Sequence, residues 1–175
     1  TATVDFTVSA TAGLNLAVSY LDMTYAPNPA LEGSNLAVSV LVRNVGDIAS
    51  SKFNVHFYDR DPEAGGTSIG LASMEALPAG ASATATIQWE VTSADRRPIF
   101  VVVDPEGTQA TESTREDNTA FAFLTVVSLP DFAISPNELV LSPSFPSPGD
   151  PTTLTVKVSN LGGQSANNVV VSLFN

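Results

Sequence analysis

The chain has 175 residues, 18 of them acidic and seven basic, so its formal net charge is −11. Such a surface repels phosphate backbones and anionic lipid, which argues against nucleic acid and membranes as partners. The absence of cysteine excludes disulfides and thiolate metal sites. The apolar content suits a packed core, and no run of 18 apolar residues predicts membrane insertion. The first residue is not Met, which indicates a processed protein or a fragment.

The first strands alternate in an unusual way. Residues 1–13 alternate apolar and polar side chains between Val4 and Val8, which predicts the last strand of a preceding module or a donor strand. From Leu14 the apolar positions are even, but after Tyr20 they become odd. Because a one-residue shift exchanges the two faces of a strand, we predict a bulge or a crossing between sheets near Tyr20.

Five further runs alternate with a period of two, the pattern of strands with one buried face. Turns rich in glycine and proline separate them, and no ten-residue stretch has a helical period. The runs are 36–42, 53–57, 83–91, 99–103 and 121–123. With the first strand they predict an all-β fold, an immunoglobulin-like (fibronectin III-like) β-sandwich.

One phrase occurs twice. "VRNVGDIAS" begins at Val42, and "VSNLGGQSA" begins 116 positions later at Val158. At this offset the apolar, proline and glycine positions coincide without a gap over about 45 residues. We therefore predict a tandem repeat with a complete module at 14–128 and the first half of a second module, about three strands, at 129–175. Residues 1–13 precede the first module.

The repeated phrase contains Asn44 and Gly46, which recur as Asn160 and Gly162. Glycine permits backbone conformations that other residues avoid, and an asparagine side chain can bond the local backbone of a turn. Because the pair recurs at the same place in each predicted module, we interpret it as architecture and not as a catalytic pair.

The same segments resemble a known family. The matching features are "RNVG" after a valine-rich strand, "FYD", the turn "LPAG", and "VVVDPEGTQATESTREDNTA" before the last strand. They resemble the CARDB domain, the cell-adhesion-related domain of bacterial and archaeal surface proteins, over 14–127 and, as a first half, over 130–175. The resemblance implies an immunoglobulin-like sandwich, usually in tandem, that serves outside the cell as a spacer or adhesion module and has no catalytic residues.

The sequence offers little chemistry for an enzyme. His56 is the only histidine, and it lies out of phase with Phe57, so we expect it on the exposed face of its strand. Without a second histidine or a cysteine, a zinc site is excluded. Neither a nucleophile elbow nor a phosphate-binding loop is present. We predict no enzymatic activity.

Two acidic loops are the candidate metal ligands. A β-sandwich of this kind places them at opposite ends of a module, so one ion can use both only where two modules meet head to tail. The hypothesis is a weak calcium site at the module ends; the alternative is ordinary solvated turns. The residues are Asp59, Asp61 and Glu63 in one loop and Asp104, Glu116 and Asp117 in the other, which also supplies Glu106 and Glu112. No other cofactor is predicted.

The favoured function is a non-catalytic structural or adhesion module of a long extracellular repeat protein or surface filament, acting as a semi-rigid spacer or stalk. The connection "SLPDF", which contains Pro130, is too short for a flexible linker. The expected partners are neighbouring modules of the same chain, or identical chains head to tail. One alternative is a filament subunit that polymerises by β-strand addition.

A second alternative is a carbohydrate-binding accessory module with glycans as partners. Such modules expose aromatic side chains, whereas most aromatic residues of this chain lie in phase with predicted core positions. Tyr25 and Tyr58 are the exceptions. The predicted core positions are Phe53, Phe57, Trp89, Phe121 and Phe123.

Overall fold

The computed structural model describes residues 13–109 and 112–174, which form two compact units, 13–126 and 127–174. Both consist of β-strands joined by turns, so the all-β prediction is confirmed. The predicted strand at 1–13 lies outside the described residues, apart from Gly13.

The first unit is a β-sandwich. Its two 3₁₀ turns are Tyr20–Asp22 and Pro62–Ala64. Its strands are β1 (Leu16–Ala17), β2 (Met23–Ala26), β3 (Ala30–Leu31), β4 (Asn35–Asn44), β5 (Phe53–Tyr58), β6 (Ser68–Met74), β7 (Ser82–Glu90), β8 (Arg96–Val103) and β9 (Thr119–Val127).

Two antiparallel sheets enclose one core. In the first sheet β4 pairs with β7 along one edge and with β1 and β2 along the other. The second sheet has the order β3-β9-β8-β5-β6. Alternate residues face inward, and the fully buried ones include Val38, Val40, Val55, Ile99 and Val101. Trp89 packs against this core, in agreement with its phase.

The prediction for Tyr20 is wrong. β1 and β2 both pair with β4, and the 3₁₀ turn Tyr20–Asp22 lies between them. This turn shifts the inward-facing positions from even to odd residue numbers without a bulge. The Ser19 hydroxyl caps the start of the turn by accepting a hydrogen bond from the Leu21 N–H (3.3 Å). The chain reaches the other sheet later, between β2 and β3.

The predicted core position of Phe121 and Phe123 is also wrong, because each is 48% exposed on the outer face of β9. The small residues Ala120 and Ala122 point the other way. Tyr25 fills the space beneath them, since its side chain packs on the core and its hydroxyl donates to the Ala122 carbonyl (3.0 Å). This burial raises the pKa of Tyr25.

Asn44 closes the turn after β4. Its side chain is buried and donates to the carbonyls of Ile48 (2.8 Å) and Leu77 (3.0 Å), and it accepts from the Gly46 N–H (3.1 Å). Gly46 lies against the backbone of the first strand, where a Cβ atom would come within 2.6 Å of the Asn15 nitrogen. The asparagine and the glycine thus fix the end of β4 against the start of the module.

The second unit is smaller. It contains the 3₁₀ turn Pro136–Glu138 and two strand pairs, β10 with β13 and β11 with β12. Asn160 repeats the bonds of Asn44: its side chain donates to the Gln164 carbonyl (2.6 Å) and accepts from the Gly162 N–H (3.0 Å). The strands are β10 (Phe132–Ala133), β11 (Leu139–Ser142), β12 (Thr153–Val156) and β13 (Ser159–Asn160).

The second unit leaves apolar side chains uncovered. Phe132 is 45% exposed and Leu139 is 46% exposed, whereas the residues 116 positions earlier, Leu16 and Met23, are buried. The difference arises because the first unit has a second sheet over these positions, and residues 127–174 by themselves have none.

Candidate functional site

The first acidic loop uses its carboxylates to shape its own turn. Asp59 accepts a hydrogen bond from the Thr67 N–H (2.7 Å), and Asp61 begins the 3₁₀ turn by accepting from the Glu63 N–H (2.9 Å). Gly65 ends that turn in the left-handed region, with φ of 84°. These bonds are those of an ordinary Asx-type turn, and Glu63 is exposed.

Asp104 organises the second loop from a buried position. Its φ of 45° places it in the left-handed region, which aspartate tolerates better than most residues. The Asp104 carboxylate accepts hydrogen bonds from the N–H groups of Thr108 and Gln109 (3.0 Å each). It also forms an ion pair with Arg115 (2.5 Å). Burial raises the pKa of Asp104, but the bonds from Thr108 and Gln109 and the charge of Arg115 outweigh it, so the pKa lies below its ordinary value.

Glu112, another acidic residue of the second loop, joins three parts of the module. Its carboxylate is almost fully buried and accepts from the Leu16 N–H (3.0 Å), the Asn118 side chain (3.0 Å) and Arg115 (3.2 Å). A glutamate in a polar loop gives no sequence signal of burial. Its role here is structural, because it ties the first strand to the last loop.

Asp117 lies beside this network, whereas Glu116 is exposed. One carboxylate oxygen of Asp117 accepts from the Asn15 side chain (3.0 Å). Within residues 13–109 and 112–174, the other Asp117 oxygen and the side-chain oxygens of Asn15 and Asn118 are buried without a donor. In the same ranges no three His, Cys, Asp or Glu residues are grouped so that they could hold a metal ion.

His56 lies on the outer face of β5, as expected. Its Nε2 atom is 2.8 Å from a carboxylate oxygen of Glu106, and its ring stacks near Tyr58 at 6.2 Å. Burial raises the pKa of Glu106. Its hydrogen bonds, including those from His56 and Asn54, lower the pKa by more, so the pKa of Glu106 lies below its ordinary value. The pair joins a loop to the sheet face.

A row of aromatic side chains continues across the same face. We call Tyr58, Phe100, Phe121 and Phe123 the aromatic row. Tyr58 and Phe100 are cross-strand neighbours, Phe100 stacks on Phe121 at 4.8 Å, and Phe121 meets Phe123 edge-on at 6.2 Å. The guanidinium carbon of Arg96 lies 3.9 Å from the centre of the Phe123 ring.

A cleft of about 550 Å³ adjoins the row at β9. Its walls include Tyr20, which is 62% exposed, and the rings of Phe121 and Phe123. The hydroxyl-bearing residues Ser19 and Thr119 also line it. This volume is in the range of small-ligand sites. Phe121 and Phe123, which the sequence placed in the core, therefore present exposed aromatic surface beside this cleft.

Comparison with known proteins establishes the family. The CARDB family model matches residues 5–122, which is more than half of the sequence. The chain belongs to the CARDB family. CARDB is a cell-adhesion-related domain of surface proteins and is not catalytic. In the described part of the chain, no helix is long and apolar enough to span a membrane.

Two solved structures have a similar fold. The crystal structure of a CARDB domain from Pyrococcus furiosus, in complex with di-metal ions, has a TM-score of 0.57 at 21% identity, covering 69% of this chain and 99% of that one. A cell-surface-protein domain from Methanosarcina acetivorans has a TM-score of 0.52 at 19% identity, covering 65% and 91%. These similarities show the fold. The search of curated protein sequences gives no match.

Proposed function

We propose that the chain is a segment of an extracellular surface protein in which CARDB modules follow one another in tandem and act as a semi-rigid spacer or stalk that carries adhesive contacts. The single observation that carries the proposal is the recurrence of one hydrogen-bonded turn 116 positions later. The side chains of Asn44 and Asn160 each donate a hydrogen bond to the carbonyl four residues later. Each also accepts a hydrogen bond from the N–H of the glycine two residues later.

Other geometry recurs at the same offset. β1 pairs with the end of β4 at Leu16 and Asn44, and β10 pairs with β13 at Phe132 and Asn160. Gly162 lies close to the backbone of Asp131, in the same way that Gly46 lies close to the backbone of Asn15. Recurrent backbone contacts indicate the same structural unit, because turn and register both depend on them.

The exposed apolar side chains of the second unit support a second module. In the first unit the corresponding positions are buried in the core between the two sheets. We infer that residues 127–175 begin a module whose second sheet is supplied by chain that follows in the parent protein. An open sheet of this kind would otherwise be prone to aggregation.

Hydrogen–deuterium exchange tests this proposal. The 175-residue chain is compared with a version extended by the next 70 or so residues of the parent protein. The proposal expects amides of β11 and β12 to exchange at least tenfold more slowly in the extended chain, while amides of β4 do not change. Equal exchange of β11 and β12 in both chains would contradict it.

The proposed calcium site at the module ends would use Asp117. Asp59, Asp61 and Asp104 already accept backbone hydrogen bonds, whereas Asp117 has an oxygen without a donor among the described residues. Calcium titration should therefore respond to Asp117→Asn and not to Asp61→Asn. If calorimetry detects no heat of binding and the melting temperature does not change up to millimolar calcium, the calcium hypothesis is contradicted.

A further inference from the structure

The outer face of the five-stranded sheet is free of acidic strand residues. β5, β6, β8 and β9 contain no Asp or Glu, although the chain has 18 of them. Glu106 reaches this face from a loop and is bound to His56. Asp59 and Asp95 line the pocket around Arg96, but Asp95 is paired with Arg97 at 2.6 Å and Asp59 lies 3.6 Å from Arg60. In a chain of net charge −11, the strands of this face therefore add no negative charge of their own.

Arg96 provides the positive charge of this face. In the part of the chain that the structure describes, its guanidinium has no carboxylate partner and rests on the Phe123 ring. By contrast, Arg43 and Arg97 each contact an aspartate at 2.6 Å. An arginine stacked on a ring keeps its planar N–H edge available for a carboxylate, which it can bind with two parallel hydrogen bonds.

The cleft beside Phe123 has the features of a sugar site. Its rings, Tyr20, Phe121 and Phe123, offer apolar surface for the C–H faces of a pyranose, and Ser19 and Thr119 offer hydroxyl groups. A few polar groups among aromatic walls are typical of small-ligand sites. An exposed patch that combines aromatic rings with an arginine also has the composition of a binding surface.

We propose that this face binds a carboxylated polysaccharide, one whose sugar rings carry uronic acid groups. Arg96 pairs with a sugar carboxylate, and the sugar rings lie in the cleft against Phe121 and Phe123. The ligand's charge complements the unpaired guanidinium, and its ring faces match the aromatic walls. This contact goes beyond the spacer role and gives the module an adhesive site of its own. Its failure would leave the tandem arrangement intact.

The test uses the whole 175-residue chain and oligosaccharides of defined charge. A panel of galacturonate, glucuronate, mannuronate and guluronate tetramers is titrated by calorimetry. For the uronate that binds, its fully methyl-esterified form serves as the matched ligand, because it keeps the sugar rings and lacks the charge. We expect at least tenfold weaker binding of the ester, and weakening of the acid form as salt rises from 50 to 500 mM.

Three variants assign the residues. Arg96→Gln and Phe121→Ala should each weaken binding of the acid form at least tenfold. Lys52→Gln is the matched control, because Lys52 is an exposed cation of the same module that pairs with Glu75 at 2.8 Å and lines neither the cleft nor the pocket around Arg96. It should bind like the unchanged chain. Melting temperatures show that each variant is folded.

Several results would overturn the proposal. These are no binding to any uronate of the panel, equal binding of the acid and its methyl ester, or equal effects of Arg96→Gln and Lys52→Gln. A polyglutamate peptide that binds as tightly as the uronate would indicate an acidic protein partner instead. Sedimentation that shows self-association lost in Phe121→Ala would indicate a second copy of the chain.

Discussion

At the residue scale, Asp104 is the buried charge on which the last loop depends. Asp104→Asn keeps the size of the side chain and its tolerance of a positive φ, but removes the charge that faces Arg115. We expect a loss of about 2–3 kcal/mol at pH 7, less than for a fully buried pair because Arg115 is partly exposed. Urea unfolding of both proteins measures it.

The same variant should alter the response to acid. Because the folded-state pKa of Asp104 lies below its ordinary value, its stabilising effect is present above about pH 4 and is lost as the pH falls through the folded-state pKa. The difference between the variant and the unchanged chain should therefore shrink below pH 4. A difference that is constant from pH 7 to pH 3 would show that the charge of Asp104 is not the cause.

Gly46 fixes a close contact between two backbones. Gly46→Ala would place a methyl group against the backbone of Asn15, which cannot move as a side chain could. We expect a loss of about 2–4 kcal/mol in urea unfolding. Gly33→Ala is the matched control: its φ is 75° but it has open space around it, so about 1 kcal/mol is expected. Equal losses would contradict the steric role of Gly46.

Residue roles differ in how well the sequence reveals them. The structural need for Asn44 and Gly46 is visible because the pair occurs twice. The burial of Asp104 and Glu112 is not visible, because acidic residues beside Pro and Gly are usually solvated turn residues. Arg115 is near Glu112 in the chain, but only the fold brings the Leu16 N–H to Glu112 and helps to make its burial tolerable.

At the scale of the element, β9 shows the limit of alternation as evidence. The pattern of its residues predicts two faces but not which face is inside, since "TAFAFLTVV" is apolar on both. Phe121 and Phe123 lie outside because Tyr25 from β2 occupies the space under Ala122. The inward orientation was correctly predicted for 36–42, 53–57, 83–91 and 99–103. Polar residues mark the outer face in 53–57 and 83–91, whereas the outer positions of 99–103 are Phe100 and Val102.

Two truncations test the orientation of β9. Leu124 is fully buried, so Leu124→Ala should cost about 2–5 kcal/mol. Phe121 is 48% exposed, so Phe121→Ala should cost less, about 1 kcal/mol, mainly through the lost stacking on Phe100. Urea unfolding compares them. A larger loss for Phe121→Ala would place the ring inside.

The turn Tyr20–Asp22 is another element that the sequence only partly reveals. The phase change between β1 and β2 is correctly read from the apolar positions. A bulge, a sheet crossing and a 3₁₀ turn all produce such a change, and the choice depends on tertiary pairing with β4. The salt bridge from Arg43 to Asp22 (2.6 Å) also belongs to that pairing and has no local signal.

At the scale of the whole molecule, the recurring turns and pairings are the basis for the proposed tandem arrangement. The family and the sandwich follow from strand spacing and from segments quoted from the sequence alone. The outer sheet face, whose strands carry no acidic residue, does not, because it becomes visible only when β5, β8 and β9 are placed side by side. Its aromatic row joins residues more than 60 positions apart in the chain.

Single-molecule force spectroscopy on the parent surface protein tests the tandem arrangement most directly. Each module should unfold as a separate event, and 116 residues of extended chain give roughly 350–400 Å of added contour length per event. A tandem array predicts a series of events with this constant increment. A single event, or increments without a common value, would contradict it.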